Sequence, residues 1–175
     1  MIDRRIVIVG FMGSGKTTVA RALATRLECG MLDLDAIISA QQNLSIPELI
    51  NERGELGFRE AETMALQVVL DRLTPRIIAL GGGAWTLERN RDLITKQGCL
   101  TVWLDAPYNL CWQRITEHPV PRPLALDGPS AERLYRERHP AYALASIRIE
   151  VTDQLSADNL ATAIVEQIER KGVVR

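Results

Sequence analysis

The stretch GFMGSGKT at residues 10–17 restricts the fold of this chain more than any other part of its sequence. Its three glycines fall within six residues, and each glycine costs conformational entropy when it is ordered. The β-branched run at residues 5–9 precedes this stretch and predicts a buried strand. After it, apolar residues recur at helical spacing, at Val19, Ala22, Leu23 and Leu27. The sequence therefore predicts a strand, a loop and a helix in direct succession.

The spacing Gly10-x-x-x-x-Gly15-Lys16-Thr17 matches the pattern of a phosphate-binding loop, or P-loop. Glycines allow the backbone to wrap an anion with its N–H groups pointing inward, and the start of the helix adds partial positive charge. Lys16 is predicted to reach the β- and γ-phosphates, and the Thr17 hydroxyl to hold Mg²⁺. The alternative is a glycine-rich turn without a ligand. We predict that a nucleoside triphosphate binds, with magnesium, to Gly13, Ser14, Gly15, Lys16, Thr17 and Thr18.

Length and composition predict one globular domain, spanning residues 1–175. The formal net charge is -1, so the chain lacks the basic excess that a general nucleic-acid or membrane-surface binder needs. No apolar run approaches the ~20 residues of a bilayer span, and residues 1–5 lack the features of a signal peptide. Cys29, Cys99 and Cys111 are widely spaced, and we interpret them as small hydrophobic residues in a reducing cytoplasm.

Strand-like and helix-like segments alternate along the chain, which predicts an α/β protein with a parallel sheet covered on both faces. Ser45 is a predicted helix N-cap, with Pro47 in the first turn. Thr86 is a predicted cap for a helix over residues 87–96 that ends at Gly98. A final amphipathic helix is predicted to stop near Gly172. The candidate strands are residues 5–9, 31–33, 76–80, 100–104 and 147–151.

A P-loop alone does not separate a GTPase, an ATP-driven motor and a small-molecule kinase. The chain has no Asn-Lys-x-Asp to read guanine, and the strand before Gly81 lacks the aspartate that motors and switches use to hold metal. Asp33 and Asp35 can supply carboxylates instead. They lie at the end of the second predicted strand, where strand alternation sends both side chains to the same side and Leu34 into the core. These features favour a small-molecule kinase.

Several further motifs occur along the chain, namely FMGSGKTTVAR (11–21), LDLD (32–35), GELGFREAE (54–62), GGGA (81–84), RPL (122–124) and RHPAY (138–142). Together, in their order and over nearly the whole chain, they resemble the shikimate kinase family. The resemblance implies a three-layer α/β/α fold similar to nucleoside monophosphate kinases, with five parallel strands in the order 2-3-1-4-5. It implies substrate-binding helices at about residues 35–62 and a short lid at about 115–128. The implied reaction is ATP-dependent phosphorylation of the shikimate 3-hydroxyl, in the pathway to chorismate and aromatic amino acids.

The resemblance also implies roles for individual residues, which the chemistry of a small carboxylated polyol supports. Arginine suits the carboxylate because its planar fork matches two oxygens. A carboxylate can orient the attacking hydroxyl and accept its proton. The implied roles are carboxylate binding by Arg59 and Arg138, backbone contacts from Gly82 and Gly83, proton acceptance by Asp35, magnesium binding by Asp33 with Thr17, and phosphoryl stabilisation by Lys16 and by Arg122 of the lid.

Simpler interpretations of these residues stay open at this point. The arginines could lie on solvated helix faces, the three glycines could form a plain turn, and both aspartates could cap a helix starting near Ala36. Arg114 could flank the adenine. Two rival functions also remain, a kinase for another polyol acid such as gluconate and a catalytically silent module that binds a partner. We expect a monomer that uses ATP, shikimate and Mg²⁺.

Overall fold

A computed structural model describes residues 4–72, 75–117, 124 and 127–172 of the chain. Within these ranges one parallel sheet contains β1 (Ile6–Val9), β2 (Met31–Asp33), β3 (Ile77–Ala79), β4 (Leu100–Asp105) and β5 (Ile147–Glu150). Their order is β2-β3-β1-β4-β5, which confirms the predicted topology.

The helices flank this sheet and alternate with its strands. A short 3₁₀ helix, Ala84–Thr86, follows β3 directly. The long third helix is interrupted at Gly54, where φ is 69°. None of the helices in the described ranges combines the length and the apolar character that crossing a bilayer requires. The α-helices in these ranges are α1 (Lys16–Arg26), α2 (Leu34–Gln42), α3 (Ile46–Arg72), α4 (Glu88–Lys96), α5 (Tyr108–Glu117), α6 (Gly128–Tyr142) and α7 (Ala157–Arg170).

The predicted P-loop follows the central strand β1, which is well packed. All four of its residues are buried, and Ile6 is paired with Ile77 on one side and Leu100 on the other. Continuous burial of β-branched residues is typical of a parallel strand covered on both faces. Because all strands run the same way, β1, β2 and β3 end at one edge of the sheet, where open α/β sheets bind ligands.

Several predicted helix boundaries are confirmed, one by hydrogen bonds and two by backbone conformation. Ser45 and Glu48 cap α3 reciprocally, since the Glu48 carboxylate accepts from the Ser45 backbone at 2.8 Å. Gly98 follows the end of α4 with φ 63°, and Gly172 follows α7 with φ 65°.

Two local predictions are wrong. Thr86 does not cap α4; Leu87 holds the N-cap position without a side-chain bond, and the Thr86 hydroxyl donates to Gly83 O at 2.7 Å within the 3₁₀ helix. The predicted strand alternation through Asp33 and Asp35 is also wrong, because β2 ends at Asp33 and Asp35 lies in the first turn of α2. The Asp33 carboxylate caps α2 by accepting from the backbone N–H groups of Asp35 and Ala36, which competes with continuation of the strand.

Candidate active site

The P-loop joins β1 to α1 in a conformation that needs glycine. Gly10 and Gly13 have φ of 145° and 77°, which L side chains rarely adopt. A Cβ at Gly10 would lie 2.7 Å from the Leu104 carbonyl oxygen, and one at Gly13 would lie 2.6 Å from the carbonyl oxygen of Cys111. The loop therefore packs so closely on β4 and α5 that neither position has room for a side chain.

A cavity of about 290 Å³ lies over this loop, and we call it the P-loop cavity. Lys16 reaches into it with its ammonium donating to the Phe11 carbonyl at 2.8 Å. Arg114, on α5, donates to the Gly13 carbonyl at 3.3 Å and also lines this cavity. The full lining is Met12, Gly13, Gly15, Lys16, Thr17, Thr18, Asp33, Asp35, Leu80, Gly82, Arg114 and Ile115.

Ser14 differs from the other residues predicted to contact the nucleotide. Its side chain is completely buried and does not line the P-loop cavity, and its backbone N–H donates to the Phe11 carbonyl at 3.2 Å. Gly13, Gly15, Lys16, Thr17 and Thr18 do line the cavity.

Thr17 and Asp33 both line the P-loop cavity and contact each other there. The Thr17 hydroxyl donates to one Asp33 carboxylate oxygen at 2.5 Å, while the other oxygen caps α2. Hydroxyl and carboxylate oxygens are the donors that Mg²⁺ prefers, and this ion is commonly held by one or two protein oxygens together with waters and phosphates. In the described part of the chain no group of three or more His, Cys, Asp or Glu side chains could enclose a metal. These donors therefore fit a magnesium ion shared with a phosphate ligand.

A second cavity of about 310 Å³, the arginine cavity, opens beside the first. Apolar side chains form one part of its lining, the apolar wall. The charged groups are those of Asp35, Arg59, Glu62 and Arg138, which come from three helices that meet near the end of β3. Its residues are Met12, Asp35, Ala36, Ser39, Ser45, Ile46, Pro47, Ile50, Phe58, Arg59, Glu62, Gly81, Gly82, Gly83, Leu124 and Arg138.

Arg59 is held in the arginine cavity by two carboxylates on its own helix. Its Nη1 donates to Glu62 at 2.8 Å and its Nη2 to Glu55 at 3.2 Å. The Glu62 side chain is completely buried, and within the described residues its Oε1 has no hydrogen-bond partner. Burial raises the pKa of the Glu62 carboxyl, and the positive charge of Arg59 partly offsets that rise.

Arg138 enters the same cavity from α6 and is also buried. Burial lowers the pKa of the Arg138 guanidinium, and the positive charge of Arg59 lowers it further. The Tyr142 hydroxyl accepts from the Arg138 guanidinium and donates to the Gly82 carbonyl, and the second bond ties α6 to the end of β3. Two buried cations in one pocket, each with its own supports, are arranged to receive an anion.

Met12, Asp35 and Gly82 line both cavities. The Asp35 carboxylate therefore stands at the junction, with Lys16 on one side and the paired arginines on the other. A ligand in the arginine cavity would meet a phosphate ligand on the P-loop at this carboxylate.

A family model described as shikimate kinase matches residues 12–169, nearly the whole of this arrangement. The chain belongs to the shikimate kinase family. It is 41% identical to the shikimate kinase of Halorhodospira halophila, covering 94% of this chain and 93% of that one. It is 35% identical to that of Ruegeria pomeroyi, covering 99% and 89%. The solved structure of shikimate kinase from Acinetobacter baumannii in complex with shikimate superposes with a TM-score of 0.88 at 35% identity, covering 96% and 94%.

Membership of the shikimate kinase family confirms the resemblance seen in the sequence and the expectation of a small-molecule kinase. The structure brings together Lys16, Asp35, Arg59, Gly82 and Arg138, whose roles the resemblance implied. Arg122 and most of the predicted lid lie outside the described residues.

Sequence reasoning assigned no role to Glu62 or Tyr142, although both lie within the motifs that carry the shikimate kinase resemblance. A signal for Glu62 was present, since it follows Arg59 by three residues and such pairs share a helix face. His139, beside Arg138, points away to contact Asp105 at 3.5 Å and the Trp103 ring, so its contacts are structural.

Proposed function

We propose that this chain transfers the γ-phosphoryl group of ATP to the 3-hydroxyl of shikimate, giving shikimate 3-phosphate and ADP on the route to chorismate and aromatic amino acids. The observation that carries the proposal is the position of Asp35, which lines both the P-loop cavity and the arginine cavity. A kinase needs such a junction because the attacking hydroxyl must lie in line with the phosphoryl group.

Shikimate would enter the arginine cavity with its carboxylate between Arg59 and Arg138. Both guanidiniums are buried, so their attraction for an anion is weakly screened by water. The apolar wall, which includes Ile46, Pro47 and Phe58, would cover the carbon ring. Backbone groups of Gly82 and Gly83 line the same end of the cavity and would contact the hydroxyls.

Asp35 would orient the 3-hydroxyl and accept its proton during transfer. Lys16 would release the Phe11 carbonyl and pair with phosphate oxygens, as P-loop lysines do. Thr17 and Asp33 would hold Mg²⁺, which neutralises phosphate charge when bound. For Arg122 the proposal rests on the family resemblance alone, which implies a lid arginine acting on the transferred phosphoryl group and the nucleotide.

We also propose a cytoplasmic monomer. Three cysteines without a disulfide suit a reducing compartment. Within the described residues the exposed large apolar side chains are Leu56 and Met64 on α3, and Leu144 and Leu155 in the loops before and after β5. Light scattering after gel filtration would test the monomer, and a mass near twice 19.5 kDa would contradict it.

The test is release of ADP from ATP and Mg²⁺ with shikimate or gluconate as the acceptor. We expect turnover with shikimate and little with gluconate, and none in Lys16→Ala, which lacks the phosphate-binding amine. Preference for gluconate would favour a kinase for another polyol acid. No turnover with any small hydroxy acid would favour a silent binding module.

A further inference from the structure

We propose that Gly81 and Gly83 are positioning residues, because their missing side chains leave the spaces that Asp35 and Arg59 occupy. The inference rests on the proposed function, in which these two side chains bind and activate shikimate. It assigns a separate task to two members of the triplet Gly81-Gly82-Gly83, instead of treating it as one flexible turn.

Backbone conformation does not explain these glycines. Gly83 has φ -103° and ψ -15°, values that any residue adopts, and neither Gly81 nor Gly82 has φ in the left-handed region. Gly98 shows the opposite case. Its φ is 63°, and a Cβ built on it would meet nothing within 4 Å. Gly98 is thus required for its backbone conformation, whereas Gly81 and Gly83 are required for space.

At Gly83 the space is taken by Arg59. A Cβ built on Gly83 would lie 2.6 Å from the guanidinium carbon, much closer than a real Cβ contact. The guanidinium is fixed in this place by Glu62 and Glu55 on α3. Because the guanidinium is the end of a flexible side chain, the Cβ of an alanine at position 83 would push the guanidinium aside without moving the backbone. The protein would fold, but Arg59 would leave the position from which it receives a carboxylate.

At Gly81 the space is taken by Asp35. A Cβ there would lie 2.6 Å from Asp35 Oδ1 and 3.1 Å from Glu62 Oε1. Alanine would displace the carboxylate that stands between the two cavities. Gly82 differs, since its nearest neighbour is the Met12 backbone nitrogen at 3.1 Å, which cannot swing away. An added Cβ would therefore displace a different group at each of the three positions.

The kinetic test separates binding from turnover. For Gly83→Ala we expect the KM for shikimate to rise about tenfold or more, the loss expected when a charge-assisted hydrogen bond is misaligned, with the KM for ATP unchanged. For Gly81→Ala we expect kcat to fall by about tenfold or more, since general-base catalysis depends on position. Gly98→Ala is the control, strained but remote, and should lower Tm while leaving both KM values unchanged.

Double variants then distinguish steric displacement from damage to the backbone. In an Arg59→Ala background, Gly83→Ala should cause no further rise in KM or in the Kd for shikimate measured by calorimetry, because no guanidinium remains to be displaced. In an Asp35→Ala background, Gly81→Ala should likewise cause no further loss of kcat. Additive losses would overturn the proposal.

The remaining outcomes are also decisive. If Gly83→Ala fails to fold alone but folds when Arg59 is alanine, the conflict between the two side chains is supported. If it fails in both backgrounds, the glycine serves the backbone and the proposal is wrong. If Arg59→Ala weakens shikimate binding and Gly83→Ala does not, the proposal fails while the proposed function stands. If the unsubstituted protein does not phosphorylate shikimate, the proposed function itself fails.

Discussion

Nη1 of Arg59 donates a 2.8 Å hydrogen bond to Glu62, a carboxylate with no exposure to solvent. The pair keeps a cation at the wall of the arginine cavity and gives a buried anion its compensating charge. Arg138 adds a second cation to this neighbourhood, and Asp35 a second carboxylate. The arginine cavity is therefore lined by two guanidinium groups and two carboxyl groups.

Glu62→Gln tests whether the Glu62 carboxyl titrates in the folded protein above its ordinary pKa of 4.5, as its burial requires. The folded state then holds this proton more tightly than the unfolded chain does. The carboxyl therefore contributes its full stabilisation below pH 4.5, and this contribution is lost as the pH rises through the pKa of the folded state. Glutamine does not titrate. The free energy of unfolding in urea is measured for wild type and variant. Their difference, wild type minus variant, should decrease as the pH is raised from 4 towards neutrality, a range that spans the ordinary pKa. The exposed substitution Glu60→Gln controls for the change itself, and an increasing difference would refute the assignment.

Arg59→Lys should weaken shikimate far more than ATP. Lysine keeps the charge but cannot span Glu62 and a ligand carboxylate with a planar fork, so a loss on the order of 2 kcal/mol is expected. The measurement is KM for each substrate. Arg53→Lys provides a matched control, since Arg53 lies on the same helix, is half exposed and lines neither cavity. Equal changes in the two KM values would make Arg59 a structural residue.

Asp35→Asn and Asp33→Asn should fail in different ways. Asparagine at 35 cannot accept a proton, so kcat should fall by roughly 10²-fold, while ATP binding stays near normal. Asparagine at 33 remains a good N-cap for α2, so the fold should persist but more Mg²⁺ should be needed. A magnesium titration followed by kcat at saturation separates them. Asp158→Asn, in the first turn of α7, is the control. Recovery of Asp35→Asn by excess magnesium would assign the metal to Asp35.

Tyr142→Phe should destabilise the protein because the Gly82 carbonyl would lose its buried partner. We expect about 1–2 kcal/mol, or a Tm lower by about 2–8 °C for a chain of this size. Tyr108→Phe removes a similar hydroxyl-to-carbonyl bond, to Gly128 at 2.7 Å, from a more exposed site where water can replace it. Thermal unfolding of both variants provides the comparison. An equal or smaller loss at Tyr142 would show that its hydroxyl does not anchor α6.

The sequence alone determined the elements that local patterns control. The β-branched run before the P-loop, the glycine spacing and the apolar positions of α1 predicted strand, loop and helix, since each depends on residues a few positions apart. The motifs predicted the family and, through it, the strand order. The prediction that Thr86 caps α4 was wrong. A threonine hydroxyl that can cap a helix can equally donate to Gly83 in a 3₁₀ turn, and no local rule separates the two.

Only the tertiary structure decided how the site is supported. Tyr142 and Gly82 are 60 positions apart in the sequence. Gly83, at the start of the 3₁₀ helix, lies against Arg59 of α3. Such contacts depend on how α3 and α6 pack at the end of β3, which hydrophobic periodicity does not encode. The same packing made Glu62 a completely buried partner of Arg59. In the sequence it is one more glutamate on an amphipathic helix, because burial is a property of the assembled layers rather than of the residue.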